Sequence, residues 1–395
     1  MADLNRLATL RGKAAIVSAG SSAFTMDVTK SSEGLVADSV KECLSGIPVS
    51  KTDVDGLIIS MGYPLGVNYD RTAEALGLAV PFVHETWAHG RFTNSALQTG
   101  AMAINAGFAS TVLLIAAGAW AKGRQRPRGG GGEGSRAAGG AHGEVPWVGL
   151  AAAMGGAAMS MSRYFARYGG SSEDLGAIAV AQRKHAQFNP GAIMRKPMTT
   201  QDYLDSPYII DPLRRFDCSL VSEGAVCLLM TTAERARDLT DTPVYLTGMQ
   251  AIRAGRNEHS FGLPGQGIFT MDEYNYEADD TALSMAGLDH GDVDCIGIYD
   301  AFSVQTLVTL ERMGFCKPGE GISWIQGGRI ELGGELPLNT SGGHLSEAHV
   351  GGWNQVAELV HQLQGACGPR QVEGAEVAMY AHSAGDATIL ATRVD

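Results

Sequence analysis

Asp53-Val54-Asp55-Gly56-Leu57-Ile58-Ile59-Ser60 and Asp292-Val293-Asp294-Cys295-Ile296-Gly297-Ile298-Tyr299-Asp300 share one pattern, the tripeptide Asp-Val-Asp followed by an apolar run of strand length. An amphipathic helical pattern precedes each copy, residues 35–47 (LVADSVKECLSGI) in the first and residues 281–288 (TALSMAGL) in the second. Each copy continues into a further helix and a further apolar strand: residues 95–107 (SALQTGAMAINAG) with 111–118 (TVLLIAAG), and 351–365 (GGWNQVAELVHQLQG) with 376–382 (EVAMYAH). A tripeptide recurs by chance more readily than its whole context does. The repeat predicts a duplicated α/β fold, with residues 1–240 as one half and 241–395 as the other.

Around this frame, residues 14–20 (AAIVSAG) read as a buried strand, and the order strand, helix, strand, helix, strand predicts a parallel sheet covered by helices. Helical spacing returns in residues 158–169 and again in 171–190, the latter opened by a Ser/Glu capping signal and closed before Pro190. Residues 222–230 and 242–250 read as strands. The first half thus carries an insertion over about residues 123–215. It includes a glycine-rich stretch, residues 123–143, holding Arg124, Arg126 and Arg128. That stretch is expected to be a flexible surface connector, with a lid ordered by an anionic ligand as the alternative.

The 395 residues carry 30 basic and 42 acidic side chains, a net charge of −12, which argues against a protein that grips phosphate backbones and leaves room only for a local basic pocket. Glycine is abundant, 52 residues, which predicts many turns and close backbone approaches. The six cysteines are scattered, with no spacing that would hold zinc, so no metal site is expected. No apolar stretch has the length of a membrane span and residues 1–20 lack a signal-peptide core, so a reduced, cytoplasmic protein is expected.

Two further motifs lie in the second half: Tyr299-Asp300-Ala301-Phe302, and NTSGGHLSEAHVGG over residues 339–352. Duplicated α/β halves with these motifs in this order resemble the thiolase superfamily, in the branch of sterol carrier protein thiolases and lipid-transfer-protein-like aldolases. The first motif sits where that family has N-E-A-F or H-D-A-F, the second where it has its glycine loop and catalytic histidine. The resemblance implies a five-layered thiolase fold and a homodimer. It also implies an acyl-CoA substrate, and a small partner protein with an oligonucleotide-binding-type fold and a zinc ribbon. No cofactor is expected beyond the coenzyme A of the substrate, and neither nucleic acid nor membrane as a partner.

The chain departs from thiolases at the nucleophile. Thr93, in Thr93-Asn94-Ser95-Ala96, stands where the family's cysteine opens the central helix, and no cysteine occurs in residues 380–385 where a second one is expected. A threonine hydroxyl is a poor nucleophile without a dedicated base, so covalent acyl transfer loses its main actor. Cys218 and Cys295 read as small buried hydrophobes, and Cys316 is the cysteine whose placement is least determined. Tyr299 and His349 remain as proton-transfer groups. That pair suits retro-aldol cleavage of a β-hydroxyacyl-CoA, with a steroid side-chain thioester among the substrates, because the steroid side-chain-cleaving aldolases resembled here carry tyrosine in the same Y-D-x-F motif. They carry a second tyrosine where this chain has His349.

Backbone N–H groups of Gly342, Gly343 and Gly385 are the expected donors to the enolate oxygen, together with a histidine. His344 and His382 flank the same pocket, as auxiliaries or as backbone partners. Thr93 offers a hydroxyl to the substrate or, the simpler expectation, caps its helix. His84, His89, His185, His259, His290 and His361 have structural readings. Two other functions remain open to the sequence: a non-catalytic acyl-CoA or lipid carrier or scaffold subunit, and an acetyl-CoA acyltransferase (a thiolase) using a displaced cysteine.

Overall fold

The computed structural model describes residues 7–61, 69–87, 90–119, 153–252 and 280–394. Arg124, Arg126, Arg128 and the rest of residues 123–143, like His89 and His259, lie outside the described residues. In chain order the principal elements begin with β1 (Ala14–Ser21), α1 (Ser32–Cys43), β2 (Gly56–Met61), α2 (Tyr69–Leu76), β3 (Phe82–Trp87), α3 (Thr93–Asn105) and β4 (Thr111–Ala119). Helices α4 (Ala153–Tyr168) and α5 (Ser172–Gln187) and the hairpin β5 (Tyr208–Ile210) and β6 (Leu213–Arg214) then lead to β7 (Glu223–Thr232) and β8 (Val244–Gln250). The remainder is α6 (Thr281–Ala286), β9 (Cys295–Ile298), α7 (Ser303–Arg312), α8 (Gly343–Ser346), α9 (Trp353–Leu363), β10 (Val377–Ala381) and β11 (Ala387–Ala391).

The described strands form a nine-stranded sheet in the order β3-β2-β4-β7-β1-β8-β11-β10-β9 and a two-stranded hairpin. Read outward from the β1–β8 seam, the first four strands on each side repeat one arrangement, and β3 adds a fifth strand at one edge. On one side β1 and β7 are antiparallel, β7 and β4 antiparallel, and β4 and β2 parallel. On the other, β8 and β11 are antiparallel, β11 and β10 antiparallel, and β10 and β9 parallel. The seam itself is short, Ala15 opposite Tyr245 and Ile16 opposite Val244. β2 and β9, the strands that follow the two Asp-Val-Asp copies, therefore occupy matching places.

The repeated tripeptide does the same work in both copies. Its first aspartate closes a turn: Ser50 N–H donates to Asp53 and Asp289 N–H to Asp292, each at 2.7 Å. The valines, Val54 and Val293, are buried. The second aspartate clamps the start of the next parallel strand. Asp55 accepts from the N–H groups of Ser110 and Thr111 at 2.8–2.9 Å, and Asp294 accepts from those of Glu376 and Val377 at 2.8 and 2.9 Å. Hydrogen bonds to an ionised acceptor are the stronger kind.

The expected all-parallel sheet is corrected to a mixed one. β1, β2 and β4 do run in one direction, but β7 returns from the α4–α5 excursion and inserts antiparallel between β1 and β4. Local alternation of strand and helix sets the direction of neighbours in sequence, and a late strand can still slot between them. The central strands are apolar on both faces because both faces are covered. Leu57, Ile59, Leu113 and Ile115 pack with Leu35, Val36 and Val40 of α1, whereas Ile58, Leu114 and Leu228 join the cluster holding Leu97 of α3 and Val356 of α9. Helix α3 touches β2, β4 and β7 and also β11, and α9 touches β9 and β10 and also β1 and β7. These two helices lie between the halves, with α1 on the outside of one and α6 on the outside of the other, which gives five layers.

Glycine permits this closeness. A Cβ added at Gly20 in β1 would collide with the backbone of Cys43 at the end of α1, and one added at Gly248 in β8 would collide with the carbonyl of Ala282 in α6. Because backbone rather than a flexible side chain stands in the way, Gly20→Ala and Gly248→Ala are each expected to lower the unfolding free energy by about 1–3 kcal/mol, the usual cost of overpacking. Urea titration checks this. An unchanged midpoint at constant slope would show that the helices do not sit so close.

Candidate active site

Tyr299 stands one residue past the end of β9, and its backbone N–H continues the pairing with β10 by donating to Ala381 O at 3.2 Å. Its ring is almost wholly buried, 4% exposed, and it is surrounded by imidazoles. The Tyr299 hydroxyl lies 3.3 Å from His349 Nε2. Ring centroids are 5.0 Å from His344, 5.0 Å from His382 and 5.9 Å from His349. A Cβ at Gly90, just before α3, would fall inside the Tyr299 ring, so that glycine is part of the wall of the phenol's slot. The sequence-derived residues Tyr299, His349, His344 and His382 thus meet in one place.

The four side chains are held differently. His344 receives Gly352 N–H at Nε2 (3.0 Å), which places the ring proton on Nδ1, facing Asp300 Oδ1 at 3.3 Å. Burial, and then the neighbouring His349, keep its pKa well below the ordinary imidazole value, so this ring is neutral. It is a backbone partner. His382 receives Ala384 N–H at Nδ1 (2.9 Å), which leaves the proton of a neutral ring on Nε2. His349 is half-buried and is gripped by a strap that precedes β7: Ser219 Oγ lies 3.4 Å from Nδ1, and Ser222 Oγ accepts the His349 N–H at 2.8 Å. Leu220 N–H donates to His344 O at 3.0 Å, so one strap holds both histidines.

Beneath Tyr299 lies Asp300, fully buried. It accepts the His344 N–H at 3.0 and 3.2 Å and Gln355 Nε2 at 2.8 Å, joining the end of β9 to α8 and α9. Burial pushes its pKa up to about 6 against the pull of these donors. Asn339, which starts the glycine loop with φ 50°, imitates a strand: its Oδ1 accepts Ile298 N–H and its Nδ2 donates to Ile298 O. His185, read as structural, receives Leu332 N–H at Nε2 and approaches Asn339 O with Nδ1. His290 and His361 likewise meet backbone carbonyls, those of Met313 and Ala19.

Two expectations are corrected. Thr93 does not cap α3, because it is the first residue of the helix; the N-cap is Phe92, which makes no side-chain cap bond. The Thr93 hydroxyl is instead buried and donates across the halves to Gly351 O at 2.6 Å. Its neighbour Asn94 makes the same crossing, donating to Asp386 at 2.8 Å and accepting from Thr388 at 2.7 Å. The second correction concerns the glycine N–H groups. Gly342 N–H is committed to Asn339 O and Gly385 N–H to His382 O, each at 2.9 Å, so both close turns. A Cβ on Gly343 would strike Asp300, and this residue is packed against the buried carboxylate.

All six thiols are free. Burial pushes Cys218 and Cys316 up to about 12 and raises Cys227, Cys295 and Cys367 as well. Cys43 is buried with its Sγ 3.2 Å from Ser18 Oγ. A nucleophilic cysteine needs its pKa lowered, and these shifts run the other way. Gly90, Asp300, Ser219, Ser222 and Glu347 are site residues with no role assigned from sequence alone. The available signal was weak: Asp300 and Glu347 are carboxylates inside otherwise small or apolar motifs.

Comparison with known proteins places the chain in a family. Residues 269–394 match the family described as thiolase C-terminal domain-like. A 17-hydroxy-3-oxo-4-pregnene-20-carboxyl-CoA lyase of Mycobacterium tuberculosis is 34% identical, over 90% of this chain and 92% of that protein. A steroid side-chain-cleaving aldolase of Thermomonospora curvata is 31% identical, over 91% and 92%. Among solved structures, one titled Ltp2-ChsH2(DUF35) aldolase superposes with a TM-score of 0.87 at 29% identity, covering 97% of this chain and 99% of that one. On these matches the chain belongs to the thiolase superfamily, in the branch of the steroid side-chain-cleaving aldolases.

Proposed function

We propose that this protein is a carbon–carbon lyase that cleaves a β-hydroxyacyl-CoA thioester by a retro-aldol reaction, with Tyr299 and His349 as the proton-transfer pair. The observation that carries the reading is the 3.3 Å approach of the phenol to the imidazole, in a site where Thr93 replaces a cysteine and every shifted thiol is held protonated. His349, as the stronger base of the two types, takes the proton of the β-hydroxyl. The carbon–carbon bond then breaks, the hydroxyl carbon becomes a ketone or aldehyde, and the electron pair passes to the thioester as an enolate. Tyr299 gives its proton to the α-carbon, releasing the shortened acyl-CoA, and His349 returns a proton to Tyr299. No covalent enzyme intermediate forms, and the reaction as written calls for no cofactor beyond the coenzyme A of the substrate.

With the Gly342 and Gly385 N–H groups occupied, the Nε2–H of His382 is the donor proposed for the enolate oxygen. A steroid side-chain thioester is the proposed substrate, supported by the activities named for the two relatives. The two-component name of the structural relative supports a DUF35 partner, and the resemblance to this branch supports giving that partner a zinc ribbon and an oligonucleotide-binding-type fold. A homodimer is also proposed. The exposed Phe108, stacked on Phe82 at 6.3 Å, and the exposed Val83 on β3, an edge strand of the sheet among the described residues, offer it an apolar surface. No helix among the described residues is long and apolar enough to cross a membrane, and six free thiols suit the reducing cytoplasm proposed as its location.

Incubation of the protein and its partner with β-hydroxyacyl-CoA thioesters should release a carbonyl product and a shorter acyl-CoA; tight binding with no turnover would favour a carrier instead. Tyr299→Phe keeps the ring and removes the proton, so kcat should fall about 10²–10⁴-fold. A rate left unchanged takes Tyr299 out of the mechanism. His349→Tyr replaces an imidazole, ordinarily ~6.5, by a phenol at ~10. Because the base acts only when deprotonated, the acidic limb of kcat/KM against pH should move to higher pH with residual activity retained, and an unmoved limb would show that His349 is not the base.

A further inference from the structure

Glu347 lies two positions before His349, and its side chain is enclosed by protein. Three polar side chains from three parts of the chain close on it. Asn189, just past α5, donates to Oε1 at 2.9 Å. Ser341, at the head of the glycine loop, has its hydroxyl 2.6 Å from Oε2, and Asn354, in the first turn of α9, donates to the same oxygen at 2.7 Å. The backbone of this stretch is tied to the segment after α5 as well, with Ile193 N–H donating to Glu347 O and Met194 N–H to Ser346 O.

A buried carboxylate ordinarily needs a cation. Here the neighbouring cations serve other groups: Arg370 forks onto Glu358 at 2.9 and 3.1 Å, and Arg183 donates to Ser346 Oγ at 2.9 Å. Burial, followed by the adjacent charge of Glu358, pushes Glu347 up to about 8, so near neutral pH it is an uncharged acid. All three partners donate to it, the Ser341 hydroxyl and the two asparagine amides, so both carboxyl oxygens act here as acceptors. Glutamine has the same length, but its NH₂ would face the Asn354 NH₂ across a buried contact.

We infer that Glu347 is a positioning residue for the reaction, its carboxyl fixing the course of residues 341–354 and through it the approach of His349 to Tyr299. The inference rests on the proton-transfer reading of those two residues. Ionisation of Glu347 would set a second negative charge beside Glu358, in a surrounding that also holds Arg370, Arg183, His344 and His349. The loop should therefore loosen as pH rises through about 8.

The test is Glu347→Gln in the full chain with its partner. Since a displacement of about 1 Å can cost about 10²-fold, kcat is expected to fall about 10–100-fold, with KM changed less than about threefold. The wild-type alkaline limb of kcat near pH 8 should also be lost, and the ¹⁵N signals of the His349 imidazole should shift. Asn189→Ala removes one of the three partners without touching the carboxyl. It should move the same quantities less far, and it serves if the glutamine variant does not fold. A kcat within about twofold of wild type with unmoved His349 signals, and only a lowered melting temperature, would overturn the inference and leave Glu347 as a core strut. Should the wild type cleave no β-hydroxyacyl thioester, the lyase reading fails on its own; the imidazole signals still decide whether Glu347 sets His349.

Discussion

The site depends on one buried carboxylate. Asp300 has no contact with solvent, yet it holds the N–H of His344 and the amide of Gln355, and so draws the glycine loop and the central helix α9 onto the end of β9. Each such bond to a charged acceptor contributes about 1.5–3 kcal/mol, and removing one partner would leave a buried group uncompensated, which costs more than the bond itself. The arrangement is thus nearly all-or-none. With Asp300 in place, His344 is fixed as a neutral ring packed against both Tyr299 and His349, and the phenol has one slot, bounded on the far side by Gly90.

That constraint explains why the site belongs to neither half. Tyr299, Asp300, the glycine loop and His382 come after β8. The strap from Ser219 to Ser222 and the Gly90 wall come before it. Thr93 and Asn94, at the start of α3, bind Gly351, Asp386 and Thr388 across the interface. Thr93, which by the resemblance stands where a thiolase carries its nucleophile, is here a structural crossing, its hydroxyl proton given to a carbonyl. Restoring sulfur there would therefore remove a tie between the halves as well as add a thiol.

Much of the architecture was legible because it is written in local hydrogen bonds. The Asp-Val-Asp copies announce the same turn, core contact and strand clamp wherever they fall, and the matching four-strand arrangement follows from repeating them. The antiparallel insertion of β7 was not legible, since nothing within residues 222–230 records which strands will flank them. The site divides in the same way. Tyr299 and His349 could be named from motifs, but the engagement of Gly342 and Gly385 depends on turn closure, and the role of Thr93 on a residue 258 positions away.

A polar core of this kind has a chemical logic. The proposed retro-aldol step starts from a neutral base and a neutral acid, and the charges that develop on the imidazole, the enolate and the phenol are cancelled as the protons move on. Burial sets the protonation of their surroundings: it keeps His344 neutral, raises Glu347 so that it is uncharged near neutral pH, raises Asp300 only to about 6, which leaves it a carboxylate there, and pushes Tyr380 well above the ordinary phenol value beside the Thr93 tie. In a solvated pocket the same residues would ionise independently and screen one another. Enclosure therefore keeps them hydrogen-bonded in one arrangement, with the half-buried His349 as the most open of the rings gathered around Tyr299.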